Sequence, residues 1–446
     1  MRSHKPAFRE RRAVRVAVTT LAATTLLLSA CGDDGEDDDT AGETPEEPED
    51  EPEEPADEEE PMDDEPIIVG STLSLTGAFG PTGVIHQIVG EQFVDQLNAN
   101  GGLLGRPVEW TVLDDESDSA QVTTLYERLI NQDQVDLVIG PYATPNIIPA
   151  VAVAERAGYT IPHHTAIHAP LLSYDCQFPG WSMDPVPDDF TSELLFELLT
   201  SLPDAPETIA LVTNESGSTQ PMTEGFVEQG VGQGMLGLAD DYDLEVVEDV
   251  RYPPGNQEWS TIATQLRDAN ADIVINNGIA VDPVGLLEAM AQLDYEPPMF
   301  FTLFPAPGPV LGLGELGEGT LSVSLFEPNE PILDQYGDDV RAIVEEFSAR
   351  SADAGLPYTV FESQAAASWN TWEILAGAVE GAGSLDQQAI CDYLHDSGVD
   401  TTLNGHLTFD PAISNFWESN VGIKQVQNGD WVMVWPADRA AADAIQ

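Results

Sequence analysis

The sequence predicts an α/β protein of two lobes, each built on a parallel sheet, with the chain crossing between them three times. Three observations predict it. From residue 67 onward, short apolar strands alternate with amphipathic helices, the pattern that gives parallel sheets covered by helices. That rhythm breaks once, across a proline-rich stretch at 163–187, and then restarts as a second set. A strand-rich end at 405–435 cannot cover its own apolar faces, so it must return to the earlier lobes. The stretch 67–446 is also too long for one simple core and suits two.

The first set runs strand 67–73, helix 83–100, strand 108–113, helix 119–132, strand 136–139, helix 145–157 and strand 159–161. Val84, Ile88, Phe93, Val94 and Leu97 fall near helical spacing and form a core-facing stripe. The second set runs helix 189–201, strand 208–212, helix 220–233, strand 244–249, helix 259–269, strand 272–276, helix 283–293 and strand 299–302. Helices at 338–354, 362–379 and 385–397 precede strands at 405–409 and 421–435. Crossings near 182–186, 325–327 and 403–405 give a first lobe of 67–185 plus 327–403. The second lobe is 186–326 plus 404–436, and 437–446 is a tail. In open parallel sheets ligands sit beyond the carboxyl ends of the strands, and two such edges face to face make a cleft that a hinge can close.

The N-terminus reads as an export segment at 1–30. Arg2, Lys5, Arg9, Arg11, Arg12 and Arg15 are followed by an apolar stretch, 14–28, that is short for a bilayer span. Leu28-Ser29-Ala30-Cys31 resembles the bacterial lipobox, which implies cleavage before Cys31 and a lipid anchor on its sulfur, at the outer face of the cytoplasmic membrane. An ordinary signal peptide with a chance cysteine is the plain alternative, and Arg11-Arg12 leaves the general secretory and twin-arginine routes both open. Residues 31–66 are almost wholly Asp, Glu, Pro, Gly and Thr, and are expected to be a disordered acidic tether.

The chain carries a net charge of −64, and 21 of its 79 acidic residues lie in that tether. The folded part keeps only nine basic residues, with Lys424 its only lysine, so repulsion excludes nucleic acid as a partner. Cys176 and Cys391 would sit in an oxidising compartment, where a bridge and a free pair both remain possible.

Several ordered landmarks then resemble the leucine/isoleucine/valine-binding protein family, a branch of the type I periplasmic binding proteins. They are Gly70-Ser71-Thr72-Leu73-Ser74-Leu75-Thr76-Gly77, Asn100-Gly101-Gly102-Leu103-Leu104-Gly105-Arg106-Pro107 and Asp114-Asp115. Val135-Asp136-Leu137-Val138-Ile139-Gly140-Pro141 and Gly405-His406-Leu407-Thr408-Phe409-Asp410 complete the series. The resemblance implies two Rossmann-like lobes, a three-strand hinge and the solute-binding role of an ABC importer. Its partners would be an amino acid or similar small solute and a membrane permease, with no cofactor and a monomeric state. A ligand-sensing ectodomain of the same fold is the alternative reading.

The resemblance places the ligand's carboxylate at Thr144, which Pro145 would make a helix N-cap, and at Thr165 and Ile167. A plain capping threonine is the alternative for Thr144. The ammonium falls to Asp282, which as a capping residue before Pro283 has a purely structural alternative. Ser218 is the nearest match to a further family position, and Tyr142, Ala143, Phe79 and Thr82 would line the cleft. The family often has an aromatic where Thr82 stands, so the side-chain pocket departs from the pattern. His163, His164 and His168 are read as polar cleft lining with no metal, since adjacent histidines point apart on a strand. Asp114, Asp115, Glu116 and Asp118 are read as a solvated strand end. No catalytic motif is evident, and no enzyme activity is expected.

Overall fold

A computed structural model describes residues 65–446, apart from 165, 167, 331 and 419. The export segment, Cys31 and the acidic segment as far as Asp64 lie outside the described residues, as do Thr165 and Ile167.

The first sheet orders Val108–Asp114, Ile67–Leu73 and Leu137–Val138 side by side, all parallel, with Ile67 opposite Val108 and Leu73 opposite Asp114. The Gly140 amide donates to the Pro162 carbonyl at 2.7 Å, which carries the parallel run on to the paired strands Ile161–His163 and Gln177–Pro179. Helices Gly80–Ala99, Ser119–Asn131 and Thr144–Ala157 follow their strands as βαβ connections require.

The second sheet has seven strands. Its order is Asp430–Trp435, Gly422–Gln427, Leu321–Ser324, Met299–Pro305, Ile273–Ala280, Thr208–Asn214 and Glu245–Tyr252. The last five are mutually parallel, and the two from the chain's end add antiparallel at one edge. Ile273–Ala280 is buried along its whole length, as a strand covered on both faces must be. Two asparagines break its apolar run, and their side-chain N–H groups find partners: Asn276 donates to the Val212 carbonyl and Asn277 to the Thr223 hydroxyl.

The late helices Asp338–Asp353, Ser363–Ala382 and Gln387–Ser397 return to the first sheet's side. Gln92 donates to the Ile343 carbonyl, Arg350 pairs with Asp95, and Gln387 bonds both Thr160 and the Asp136 carbonyl. Cys176 and Cys391 are joined, Cα to Cα 5.4 Å, across 215 residues of sequence.

Two segments differ from the sequence expectation. The helix expected at 220–233 is only Gln220–Glu224, a single 3-10 turn at Val227–Gln229, and a second short helix Gly234–Leu238. Gly225, Gly230, Gly232 and Gly234 all take positive φ, so the chain turns where a continuous helix would need φ near −60°. The chain's end also joins the second sheet later than expected. Gly405–Leu407 pairs with Val399–Thr401, and Asn415 donates to the carbonyls of Asp175 and Gln177; the second sheet is entered only at Gly422.

Candidate functional site

Loops at the carboxyl ends of both sheets converge. One is Gly140–Ala143, where strand gives way to helix. A Cβ on Gly140 would lie 2.4 Å from that of His163, so glycine lets two neighbouring strand ends close up. Ala143 sits at φ 69°, ψ 137°, a conformation strained for any residue with a Cβ, and its carbonyl accepts from the amides of Asn146 and Ile147. Thr144 is therefore the first helical residue and not the N-cap expected from Pro145, because Ala143 occupies that place. Its hydroxyl is buried and caps nothing, and it has no hydrogen-bond partner in the protein.

On the second sheet's side, Asp282 opens the helix Asp282–Ala291 and is 8 % exposed. Its carboxylate does not cap that helix. Oδ2 turns back to accept from the Ile279 amide at 3.2 Å, from Asn214 Nδ2 at 2.8 Å and from the Tyr252 hydroxyl at 2.9 Å. Burial pushes this carboxyl's pKa up, and the hydrogen bonds from Asn214, Ile279 and Tyr252 draw it part of the way back.

The loop after Thr208–Asn214 bridges the two sides. Thr219 Oγ1 donates to the Asn214 carbonyl, and Ser216 and Thr219 share a hydroxyl contact at 2.7 Å. A Cβ on Gly217 would lie 3.7 Å from Thr144 Cγ2, so this loop covers the Thr144 methyl directly. The Ser218 carbonyl meets His168 Nε2 at 3.0 Å.

Between these walls lies a cavity of about 30 Å³ lined by Tyr142, Ala143, Trp181, Ser218, Ile279, Phe304, Leu325 and Gln364. That is room for about one water, so a solute enters only if the walls part. Of the residues singled out in the sequence, Tyr142, Ala143 and Ser218 line it. Phe79 packs edge-on against Tyr142, ring centres 5.8 Å apart, and the Thr82 hydroxyl is buried beside the same phenol. Trp181, Ile279, Phe304, Leu325 and Gln364 were not legible as site residues.

Behind Tyr142 stands a group of buried imidazoles. His86, from the helix Gly80–Ala99, lies 4.3 Å from His164 and 5.0 Å from Tyr142, ring centre to ring centre. His86 beside Gln364 and His164 beside the Gly140–Pro141 backbone make no well-formed hydrogen bond, whereas His163 pairs with Gln177. Burial drives all four down, His164 to about 3, His163 and His168 to about 4 and His86 well below its usual value, so the rings are neutral at pH 7. No cluster of three metal-ligating side chains occurs among the described residues.

Two acidic features sit near the cleft. Asp115, expected in solvent, is buried and accepts from Thr72 Oγ1, Ser74 Oγ and the Ser117 amide, so it braces the first loop. At the join between the sheets, Lys424 on Gly422–Gln427 is buried between two glutamates. Its Nζ lies 2.5 Å from Glu327 Oε1, 3.6 Å from Glu362 Oε2 and 4.7 Å from the centre of the Trp431 ring. Burial raises both carboxyls, Glu362 to about 7. It opposes the Lys424 ammonium too, but the two glutamates more than offset that and hold its pKa above the ordinary value.

Comparison with known proteins agrees with this architecture. The chain is 24 % identical over 363 residues to the Leu/Ile/Val-binding protein of Escherichia coli K12, covering 79 % of this chain and 86 % of that one. Two solved structures share the fold. One is the branched-chain amino acid transporter substrate binding protein LivJ of Streptococcus pneumoniae in complex with isoleucine (TM-score 0.66, 18 % identity, 82 % of this chain and 98 % of that one). The other is an ABC transporter solute binding protein of R. palustris in complex with benzoate (TM-score 0.68, 17 % identity, 85 % and 98 %). The sequence pattern described as "Periplasmic binding protein" matches residues 66–430. With two parallel-rich sheets whose carboxyl edges meet at one cleft, this chain belongs to the periplasmic binding protein family.

Proposed function

We propose that the chain is the extracytoplasmic solute-capturing component of an ABC importer. In this reading it is held to the membrane by lipid on Cys31 and takes an α-amino acid into the cleft for delivery to a permease. Two observations support this reading: a buried, unpartnered Thr144 hydroxyl at a helix start, next in sequence to the cavity-lining Ala143, and a buried Asp282 carboxylate bonded to the amide of the cavity-lining Ile279. A helix start with a free hydroxyl suits a carboxylate. Asp282 suits an ammonium, because a charge-assisted pair gains strength when closure removes water. Thr165 and Ile167 would complete the carboxylate end, and Ser218, Tyr142, Ala143, Phe79 and Thr82 the walls. Neither wall satisfies both ends of a zwitterion, so ligand favours the closed form by its differential contacts. The branched-chain specificity of the E. coli relative is not carried over, since the residues behind Tyr142 are polar.

Isothermal titration of α-amino acids into the mature protein and its Asp282→Asn variant tests the assignment. The variant is expected to bind more than tenfold more weakly, because an ammonium is left without its counter-charge in a closed cleft. Equal affinities would remove Asp282 from the site. Detergent phase partitioning of wild type and Cys31→Ala, with only the wild type entering the detergent phase, tests the anchor.

A further inference from the structure

The pocket behind Tyr142 constrains the solute's side chain. We propose that this side chain ends in a neutral group that both donates and accepts hydrogen bonds, a primary carboxamide, received by His86, His164 and Gln364; this rests on the amino-acid reading above.

Polar atoms without a well-formed hydrogen bond cluster here: both ring nitrogens of His86, both of His164, Gln364 Oε1 and Thr82 Oγ1, all buried. Their nearest protein groups, Gln364 at His86, the Gly140–Pro141 backbone at His164 and the Tyr142 phenol at Thr82, stand beside them without good geometry. Gln364 lines the cavity and its side chain lies against His86, while Tyr142, the other wall, lies against both His86 and Thr82. A tail passing between Tyr142 and Gln364 therefore reaches the imidazole pair.

Aliphatic, anionic and cationic tails fit this pocket less well. An aliphatic tail strips water from these atoms on closure and gives nothing back, which weakens binding roughly tenfold or more for each buried group left unpaired. An anionic tail needs a cation, yet the nine basic residues of the folded part are engaged elsewhere. Arg128, Arg156, Arg251, Arg267, Arg341 and Arg350 pair with acids on the surface, and Arg106 and Arg439 donate to backbone carbonyls. Lys424 is held between Glu327 and Glu362, and Glu362 adds a negative field at Tyr142. A cationic tail offers donors alone, whereas each neutral imidazole has one N–H that needs an acceptor. A carboxamide has two N–H groups and an oxygen with two lone pairs, and so matches both halves of the pair.

The test uses L-asparagine, L-leucine and L-aspartate, which share one branched shape, with L-glutamine as the longer amide and butyramide as an amide without the α-carbon groups. Each is titrated into the mature protein at pH 7.5, and into Gln364→Leu and His86→Phe. The better of the two amide amino acids is expected to bind at least tenfold more tightly than L-leucine and L-aspartate, and Gln364→Leu to narrow that gap even if His86→Phe does not fold. L-leucine or L-aspartate binding as tightly as either amide would overturn the inference while leaving the amino-acid reading in place. A gap that persists undiminished in Gln364→Leu also counts against it. Binding of butyramide, reduced by Gln364→Leu, with no amino acid bound would sink the amino-acid reading and with it the inference about its side chain. If none of the five binds, the inference fails.

Discussion

Replacing Lys424 with methionine removes the one cation from a buried group that holds two carboxylates. Breaking a buried ion pair by deleting one partner costs about 3–5 kcal/mol, because the remaining charge keeps its desolvation penalty without its counter-charge. Here two acids lose their partner, Glu327 at 2.5 Å and Glu362 at 3.6 Å, and the Trp431 face loses its cation as well. The carboxyls limit the loss by taking up protons. Both already stand above the ordinary glutamate range through burial, and without Lys424 they rise further. The cost is therefore greatest at pH 8 and smaller at pH 5. Unfolding entropy of about 2.1 cal/mol/K per residue gives roughly 0.8 kcal/mol/K over some 380 residues, so about 4 kcal/mol lowers Tm by about 5 °C. Calorimetric scans of wild type and Lys424→Met at pH 5 and pH 8 measure this. Replacing both glutamates by glutamine in the same variant should restore most of the loss, since a neutral set carries no buried charge. A Tm change below about 1 °C at pH 8, or an equal loss at the two pH values, would refute the reasoning.

Two further outcomes follow from the same structure. Glu362 has a folded pKa raised to about 7, so its contribution to stability is complete below the ordinary glutamate value and is lost as pH rises through about 7. Glu362→Gln should therefore flatten a wild-type decline of up to about 3 kcal/mol between pH 5 and pH 8 in urea unfolding, and an unchanged slope would count against it. Cys391→Ser opens a loop of 215 residues and is expected to lower stability by about 2–5 kcal/mol, whereas an unchanged urea midpoint would mean the bridge adds nothing.

The sheets were legible because strands buried on both faces carry short apolar runs, as Ile273–Val274–Ile275 does, and their helices show a separate period. The broken segment after Gln220 was not, since glycine lowers helix propensity without announcing which glycines will turn to positive φ. Proline at 145 pointed to a helix start near Thr144, but not to Ala143 accepting a strained backbone one residue earlier. Asp115 looked like a solvated acid because its donors, Thr72 on a neighbouring strand and Ser74 just past that strand's end, lie more than forty residues away. His86 was hidden in a helix buried on nearly every face, where a single polar residue breaks no visible stripe. Lys424 did leave a signal, the only lysine beyond residue 66, near the end of a very acidic chain. Its two partners, at 327 and 362, come together only through the crossing segments.

The most direct test of the central claim, capture of a small zwitterion between Thr144 and Asp282, is native mass spectrometry of the freshly purified mature protein. Wild type should carry a single small solute that is released on unfolding and identified as an α-amino acid, and Asp282→Asn prepared in the same way should come off the column without it. A solute lacking an α-amino group, or one held equally well by Asp282→Asn, would contradict the account.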